Sequence, residues 1–181
     1  MTDKLDSARK HYADGRLGKA STELQWAMVR LRARLELLAR ESLPPASAGW
    51  RVEFAQPGHG ATGSLGVQFV VTYRNDTPPP TQVSLQVSID SPAHFGSCGN
   101  LALLNPILAE LHGYSAIDVE GLAHPALLRL HGAQKSAEGI ITLPGRVCIY
   151  LRGQGNNAGE AVRTLLTGCN IKRLKDTFDI R

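Results

Sequence analysis

The chain has 181 residues, of which 43% are hydrophobic and 6% aromatic, and its 20 Lys and Arg against 16 Asp and Glu give a formal net charge of +4. This length and apolar content predict an α+β domain with a buried core and rule out a wholly disordered chain. No apolar run approaches the roughly 20 residues that a membrane span requires, so we expect no membrane partner. Three widely spaced cysteines argue against a disulfide framework and favour a reducing, cytoplasmic location.

The N-terminal residues 1–43 are predicted to form a helical arm. A first helix over residues 3–14 ends at Gly15, a residue suited to the C-terminus of a helix. A second helix over residues 17–41 must end before Pro44-Pro45, because proline cannot continue the helical ladder. After a first step of seven, its leading apolar residues recur at steps of four and three: Leu17, Leu24, Met28, Leu31, Leu35 and Leu38. We expect this stripe to cover a sheet, or alternatively to form a coiled coil with another chain.

A second apolar group on the same helix lies off this stripe and comprises Trp26, Val29 and Leu37. Tryptophan is strongly enriched at binding hot spots, and grouped exposed apolar residues are typical of interfaces. We therefore predict that these three residues contact a protein partner. The alternative is that they pack on the first helix through Leu5, Ala8 and Tyr12.

After the prolines the apolar period changes from helical spacing to two. Residues 50–54, 67–73 and 83–89 alternate cleanly, which predicts a three-stranded antiparallel meander. Residues 59–64 and 75–80 are turn sequences rich in Gly, Pro, Asn and Asp. The alternate positions of the third strand are uncharged and polar, and we expect them to be solvated or paired with another protein: Gln82, Ser84, Gln86 and Ser88.

The rest of an α+β domain over residues 44–135 is predicted to be mainly helical. Asn105 followed by Pro106 is typical of a helix N-terminus, and a further short helix is predicted over residues 126–131, ended by Gly132.

Residues 136–181 are predicted to form a strand-helix-strand extension. Strands are predicted over residues 139–143 and 146–151. Asn157 and Glu160 have the spacing of a capping box that opens a helix over residues 158–167. Residues 171–180 are predicted as a last strand.

The sequence offers one weak candidate for nucleophilic catalysis, at Cys98. His112, Asp118 and His124 follow it, in the order that cysteine hydrolases and deamidases require. No strand delivers a base to this thiol, so we favour a small buried cysteine and keep a Cys98-dependent hydrolase or deamidase as a second alternative function. The histidines and cysteines lack metal-ligand spacing, and the turn over residues 151–159 matches neither nucleotide-binding fingerprint. We therefore expect no enzyme, no metal and no cofactor.

The order of a long helix, three strands and a proline-rich turn resembles an RWD domain, the non-catalytic relative of ubiquitin-conjugating folds. The residues that carry the resemblance are Val70-Val71-Thr72-Tyr73, Pro78-Pro79-Pro80 and Val83-Ser84-Leu85, where three consecutive prolines replace the spaced pair of the family. Residues 144–153, with Asn156, Asn157 and Glu160, are similar to the extra C-terminal domain of some RWD proteins. The resemblance implies a non-catalytic protein-protein interaction module that acts as a subunit of a larger assembly.

The charge distribution supports an alternative function, because both ends of the chain are basic. Residues 1–41 carry a balance of +3, residues 42–145 of −3 and residues 146–181 of +4. Residues 147–177 look like the end of the small-subunit ribosomal protein family eleven, which implies contact with RNA. Under this alternative the RNA contacts would be Arg146, Arg152, Arg163, Lys172, Arg173 and Lys175.

Overall fold

The computed structural model describes residues 2–54, 66–90, 105–143 and 146–180. It confirms an α+β chain with an N-terminal helix and an antiparallel sheet. The helices are α1 (Thr2–Ala13), α2 (Leu17–Arg40), α3 (Pro106–Leu111), α4 (Ala158–Thr167) and α5 (Ile171–Phe178). The strands are β1 (Trp50–Phe54), β2 (Val67–Asn75), β3 (Thr81–Ile89), β4 (Tyr114–Ile117), β5 (Ala126–His131), β6 (Ser136–Leu143) and β7 (Val147–Gln154).

The seven strands form one sheet in the order β1-β2-β3-β7-β6-β5-β4, and every neighbouring pair is antiparallel. Its central strand is β7, which pairs with β3 on one side and places Leu151 opposite Leu85. Because β5 pairs with β6, the sheet continues across the sequence boundary that we placed between residues 135 and 136.

One face of the sheet is covered by α4, which buries Ala161, Val162 and Leu166. The helix lies close because two strand positions beneath it lack a side chain. A Cβ atom at Gly139 or at Gly153 would lie 2.8 Å from a methyl carbon of Val162. The two glycines therefore set the distance between the helix and the sheet.

Two of the predicted elements are wrong. Residues 126–131 form β5 rather than a helix, and Ala126 and Leu128 alternate with less buried neighbours, as expected for a strand. The C-terminal segment is helix α5 rather than a strand. Its buried residues Ile171, Leu174 and Phe178 recur at steps of three and four, and the side chain of Asn170 accepts a hydrogen bond from the backbone N–H of Arg173 at 2.9 Å.

The two predicted helix caps have different outcomes. At α3 the side chain of Asn105 accepts a hydrogen bond from the backbone N–H of Ile107 at 3.0 Å, which confirms the predicted start of this helix. At α4 the side chain of Asn157 makes no capping hydrogen bond, so the predicted capping box does not form.

The cysteines do not all match the prediction of reduced thiols. Cys148 is disulfide-bonded, which contradicts that prediction for this residue. Cys169 is a buried free thiol that donates to the carbonyl of Leu165 at 3.2 Å, and burial raises the pKa of this thiol to about 12. Cys98 and the predicted turn over residues 59–64 lie outside the described residues.

Within the described ranges, no helix combines the length and the apolar character needed to cross a bilayer.

Candidate functional site: the surface of the helical arm

The C-terminal end of α2 anchors the helix to the body of the protein. Ala39 is fully buried and Leu35 packs against the main core. The guanidinium group of Arg40 lies 4.6 Å from the ring centroid of Phe54 on β1. The carbonyl of Ser42 accepts a hydrogen bond from the backbone N–H of Asn170 at 2.9 Å, which joins the end of α2 to the start of α5.

The N-terminal half of α2 packs on α1 instead, and together they form a helical hairpin that we call the arm. The contact between the two helices is made by small residues, because Ala8, Ala20 and Ala27 are all buried. Lys4 and Glu23 join the helices at their margin in an ion pair of 2.9 Å. Small residues let two helices approach closely, but they cover little of each other's larger side chains.

The predicted core stripe of α2 is buried at only one end. Leu24, Met28 and Leu31 remain 46%, 39% and 43% exposed, and Leu35 is the first leucine of the stripe that packs against the core. The prediction that this whole stripe covers the sheet is therefore wrong for its first half. The sequence pattern could not show this, because periodicity reveals an apolar stripe but not what covers it.

Trp26, Val29 and Leu37 lie on a different face of α2 and are 56%, 54% and 51% exposed. With Ala33 they recur at steps of three, four and four, which aligns them along the helix; we call these four residues the Trp26 stripe. The alternative of burial against α1 does not hold, because Leu5 and Tyr12 of that helix are themselves exposed.

Arginines flank the Trp26 stripe along one margin. Arg30 follows Trp26 by four residues and Arg34 follows Arg30 by four, so both lie beside the stripe. Neither has an ion pair within the described part of the chain. The acidic residues of α2 are already paired, Glu23 with Lys4 and Glu36 with Arg40. The arm thus offers an apolar stripe with a cationic margin, and the sequence analysis did not identify that margin.

The six basic residues of the RNA-binding alternative are not brought together into one patch. Arg152 lies on the face of β7 opposite to the buried Leu151 and Gly153, away from α4. Arg163, Lys172 and Arg173 lie on the helices that cover the other face.

Three of these six side chains are also engaged within the protein. Arg146 binds both carboxylate oxygens of Asp90, at 2.8 and 2.7 Å, and donates to the carbonyl of Phe178. Arg173 pairs with Glu41, and Lys175 donates to the carbonyl of Gly121 at 2.7 Å.

A polar cluster lies on the sheet face opposite α4, around the carboxylate of Glu138. It accepts hydrogen bonds from Arg129 and Tyr114, at 3.1 and 3.2 Å, and the guanidinium group of Arg129 lies 4.6 Å from the ring centroid of Tyr114. Burial alone would raise the pKa of Glu138, but the hydrogen bonds and the positive charge of Arg129 outweigh it and lower this pKa. Burial raises the pKa of Tyr114 to about 12. These contacts link β4, β5 and β6, and they account for the cluster as a structural network.

No group of three metal-ligating side chains occurs within the described residues.

Fold and surface together define an α+β protein with a single antiparallel sheet and an exposed helical arm. Comparisons with family models, with curated proteins and with solved structures find no match to this chain.

Proposed function

We propose that the protein is a non-catalytic protein-protein interaction module, a subunit of a larger assembly, and that the arm is its binding surface. The observation that carries the proposal is the Trp26 stripe, in which three large apolar side chains on one helix face are each more than half exposed. Grouped exposed apolar residues that include a Trp are typical of binding hot spots. The RWD resemblance implies the same class of function and remains part of this proposal.

The partner that fits this surface is an acidic amphipathic helix of another protein. Amphipathic helical segments bind apolar surfaces through anchors spaced i, i+3, i+4 and i+7. Such anchors can lie along the Trp26 stripe, whose residues are spaced i, i+3, i+7 and i+11. Acidic residues beside those anchors would pair with Arg30 and Arg34, which have no ion pair within the described residues.

A second copy of this chain fits less well. Parallel pairing of two Trp26 stripes would place Arg30 and Arg34 against their own copies. Antiparallel pairing centred on Ala33 would place Arg34 against Arg32 of the other copy, and Arg30 opposite Glu36, whose carboxylate is already paired with Arg40. Juxtaposed like charges oppose association, so the unpaired cations favour an acidic partner over self-association.

The proposal can be tested by titrating the protein with a synthetic amphipathic peptide. The peptide carries Leu at i, i+3, i+4 and i+7 and Glu at the flanking positions, and binding is followed by NMR chemical shifts. We expect saturable binding with a Kd below about 1 mM and shifts centred on α2. Truncation of a hot-spot Trp costs about 2 kcal/mol, so Trp26→Ala should weaken binding about 30-fold.

The matched control is Leu111→Ala, because Leu111 on α3 is 76% exposed and lies outside the arm. This variant should bind the peptide like the wild type, and both variants should keep the thermal stability of the wild type. The proposal fails if the peptide does not bind, if the shifts lie away from the arm, or if Trp26→Ala binds as well as Leu111→Ala. Analytical ultracentrifugation tests the alternative of self-association. If the wild type sediments as a dimer and Trp26→Ala sediments as a monomer, the surface binds a second copy of the chain instead.

The RNA-binding alternative has less support, because the six basic residues lie on both sides of the sheet and three of them are engaged internally. The second alternative, a Cys98-dependent hydrolase or deamidase, concerns a residue outside the described part of the chain.

A further inference from the structure

A cleft of about 410 Å³ lies between one side of α4, the paired ends of β1 and β2, and the segment that joins α2 to β1. Its volume is within the range of small-molecule sites. Leu165 and the rings of Trp50 and Tyr73 supply its apolar lining, and Glu160, Asn157 and Asn75 supply polar groups.

Hydrogen bonds hold the walls of this cleft in place. The hydroxyl of Tyr73 donates to the carbonyl of Pro44 at 2.8 Å, which fixes the joining segment to β2. The backbone N–H of Trp50 donates to the carbonyl of Ser47 at 3.0 Å and closes the turn before β1. Gly49 makes this turn possible, because its φ is +80°. These contacts fix the backbone of Trp50, and its side chain packs against the main core.

The polar groups of the cleft are available for a ligand. Glu160 is the one acidic residue among the described lining residues, and it has no ion pair within the described part of the chain. The side-chain oxygen of Asn75 accepts from the backbone N–H of Thr77 at 2.9 Å, which leaves its amide N–H groups to donate. Asn157 makes no capping hydrogen bond with its side chain.

We propose that this cleft binds a small organic ammonium ion. A carboxylate beside an aromatic ring is the arrangement that recognises such cations, through an ion pair and a cation–π contact. Among the described residues that line the cleft, none is a lysine or arginine that would compete for Glu160. The inference goes beyond the proposed function, because none of the lining residues belongs to the arm.

The test uses a pair of probes that differ in charge but hardly in shape. Choline and its neutral carbon isostere, 3,3-dimethylbutan-1-ol, are each titrated to about 20 mM against the ¹⁵N-labelled full chain. Binding is read from the indole N–H signals. The chain has two tryptophans, Trp26 and Trp50, and Trp50→Phe assigns the two signals by removing one of them. Choline should shift the Trp50 signal in a saturable way and leave the Trp26 signal in place, and the neutral isostere should bind at least about fivefold more weakly.

Glu160→Gln should weaken choline binding about fivefold or more, because it removes the charge and keeps the shape. Glu110→Gln is the matched control, since Glu110 is exposed on α3 and does not line the cleft. It should leave the affinity for choline unchanged. The proposal is overturned if choline does not shift the Trp50 signal, if the isostere binds equally well, or if Glu160→Gln and Glu110→Gln behave alike. Binding of glucose in place of choline would reassign the cleft to uncharged polyols. The peptide titration of the arm reports on other residues, so either proposal can fail alone.

Discussion

Gly139 lies directly beneath α4, and the absence of a side chain there allows the helix to approach the sheet. A Cβ at this position would meet Val162 at 2.8 Å and Leu166 at 3.0 Å. Overpacking of a well-packed core costs about 1–3 kcal/mol, so Gly139→Ala should lower the free energy of unfolding by that amount. Urea denaturation followed by circular dichroism measures the loss.

Gly18, unlike Gly139, has room for a side chain. It lies in the first turn of α2, and a Cβ there would meet no atom within 4 Å. Alanine is the better helix former by about 0.5–1 kcal/mol, so Gly18→Ala should leave stability unchanged or raise it. Equal losses from Gly139→Ala and Gly18→Ala would contradict the close packing of α4 on the sheet.

The buried hydroxyl of Tyr73 should make the stability of the protein depend on pH. Burial, with a smaller effect of Cys169, raises the pKa of this tyrosine above its ordinary value of 10.0. The unfolded chain therefore loses this proton first, and the contribution of Tyr73 to stability should be constant below about pH 10 and fall above it. Tyr73→Phe loses the hydrogen bond to Pro44, which should cost about 0.5–1.5 kcal/mol at pH 7. Its stability should then fall less steeply above pH 10.

Urea denaturation at pH 7 to 11 measures both effects of Tyr73→Phe. The control is Tyr12→Phe, because Tyr12 is 71% exposed and should not affect the curve. A Tyr73→Phe curve parallel to that of the wild type above pH 10 would show that the hydroxyl is not protected by burial.

At the scale of elements, small buried residues form the apolar contact that holds the arm together. Ala20 is buried where α1 meets α2, and a leucine there would separate the helices at a cost of about 1–3 kcal/mol. We expect Ala20→Leu to increase amide hydrogen exchange across α1 and to leave α4 protected. Ala33→Leu changes the same residue type at an exposed position of α2 and should leave exchange in α1 as it is. If both variants exchange alike in α1, the alanine contact does not hold the hairpin.

The sequence predicts helices and strands well where local patterns and caps agree with the tertiary structure. The helix over residues 17–41 is long and periodic, and α2 spans Leu17–Arg40. Residues 126–131 lack such a pattern, since Leu127, Leu128 and Leu130 fit a helix as well as a strand. Their pairing with β4 and β6 decides in favour of a strand. In α5, the spacing of Ile171, Leu174 and Phe178 by three and four residues indicates a helix. The prediction of a final strand did not take this spacing into account.

The candidate site was predictable only in part. The off-stripe position of Trp26, Val29 and Leu37 follows from helical geometry alone. The exposure of Leu24 and Met28 does not, because periodicity reveals an apolar stripe but not what covers it. The cleft beside Glu160 joins residues from β1, β2 and α4 that are far apart in the sequence, so no local motif reveals it.

At the scale of the whole molecule, one sheet joins the two sequence regions that we divided at residues 135 and 136. Leu151 of β7 is fully buried between β3 and β6. Leu151→Ala should cost about 2–5 kcal/mol, as expected for a buried leucine. Because the sheet is continuous, amide exchange at Val71 on β2 and at Ile141 on β6 should accelerate by the same factor. Acceleration confined to one side would show that the two regions unfold separately.

The central claim is that the arm binds an acidic helical partner, and a charge-exchange titration tests it most directly. Two amphipathic peptides share one apolar face and carry either Glu or Lys beside it. Each is titrated against the wild type and against an Arg30→Glu, Arg34→Glu double variant at low salt, where charge pairing is strongest.

Complementary charges steer such contacts, so the wild type should prefer the acidic peptide by about tenfold or more, and the double variant should prefer the basic one. A wild type that binds both peptides equally, or a double variant that keeps the wild-type preference, would contradict the assignment of the arm as the binding surface for an acidic helix.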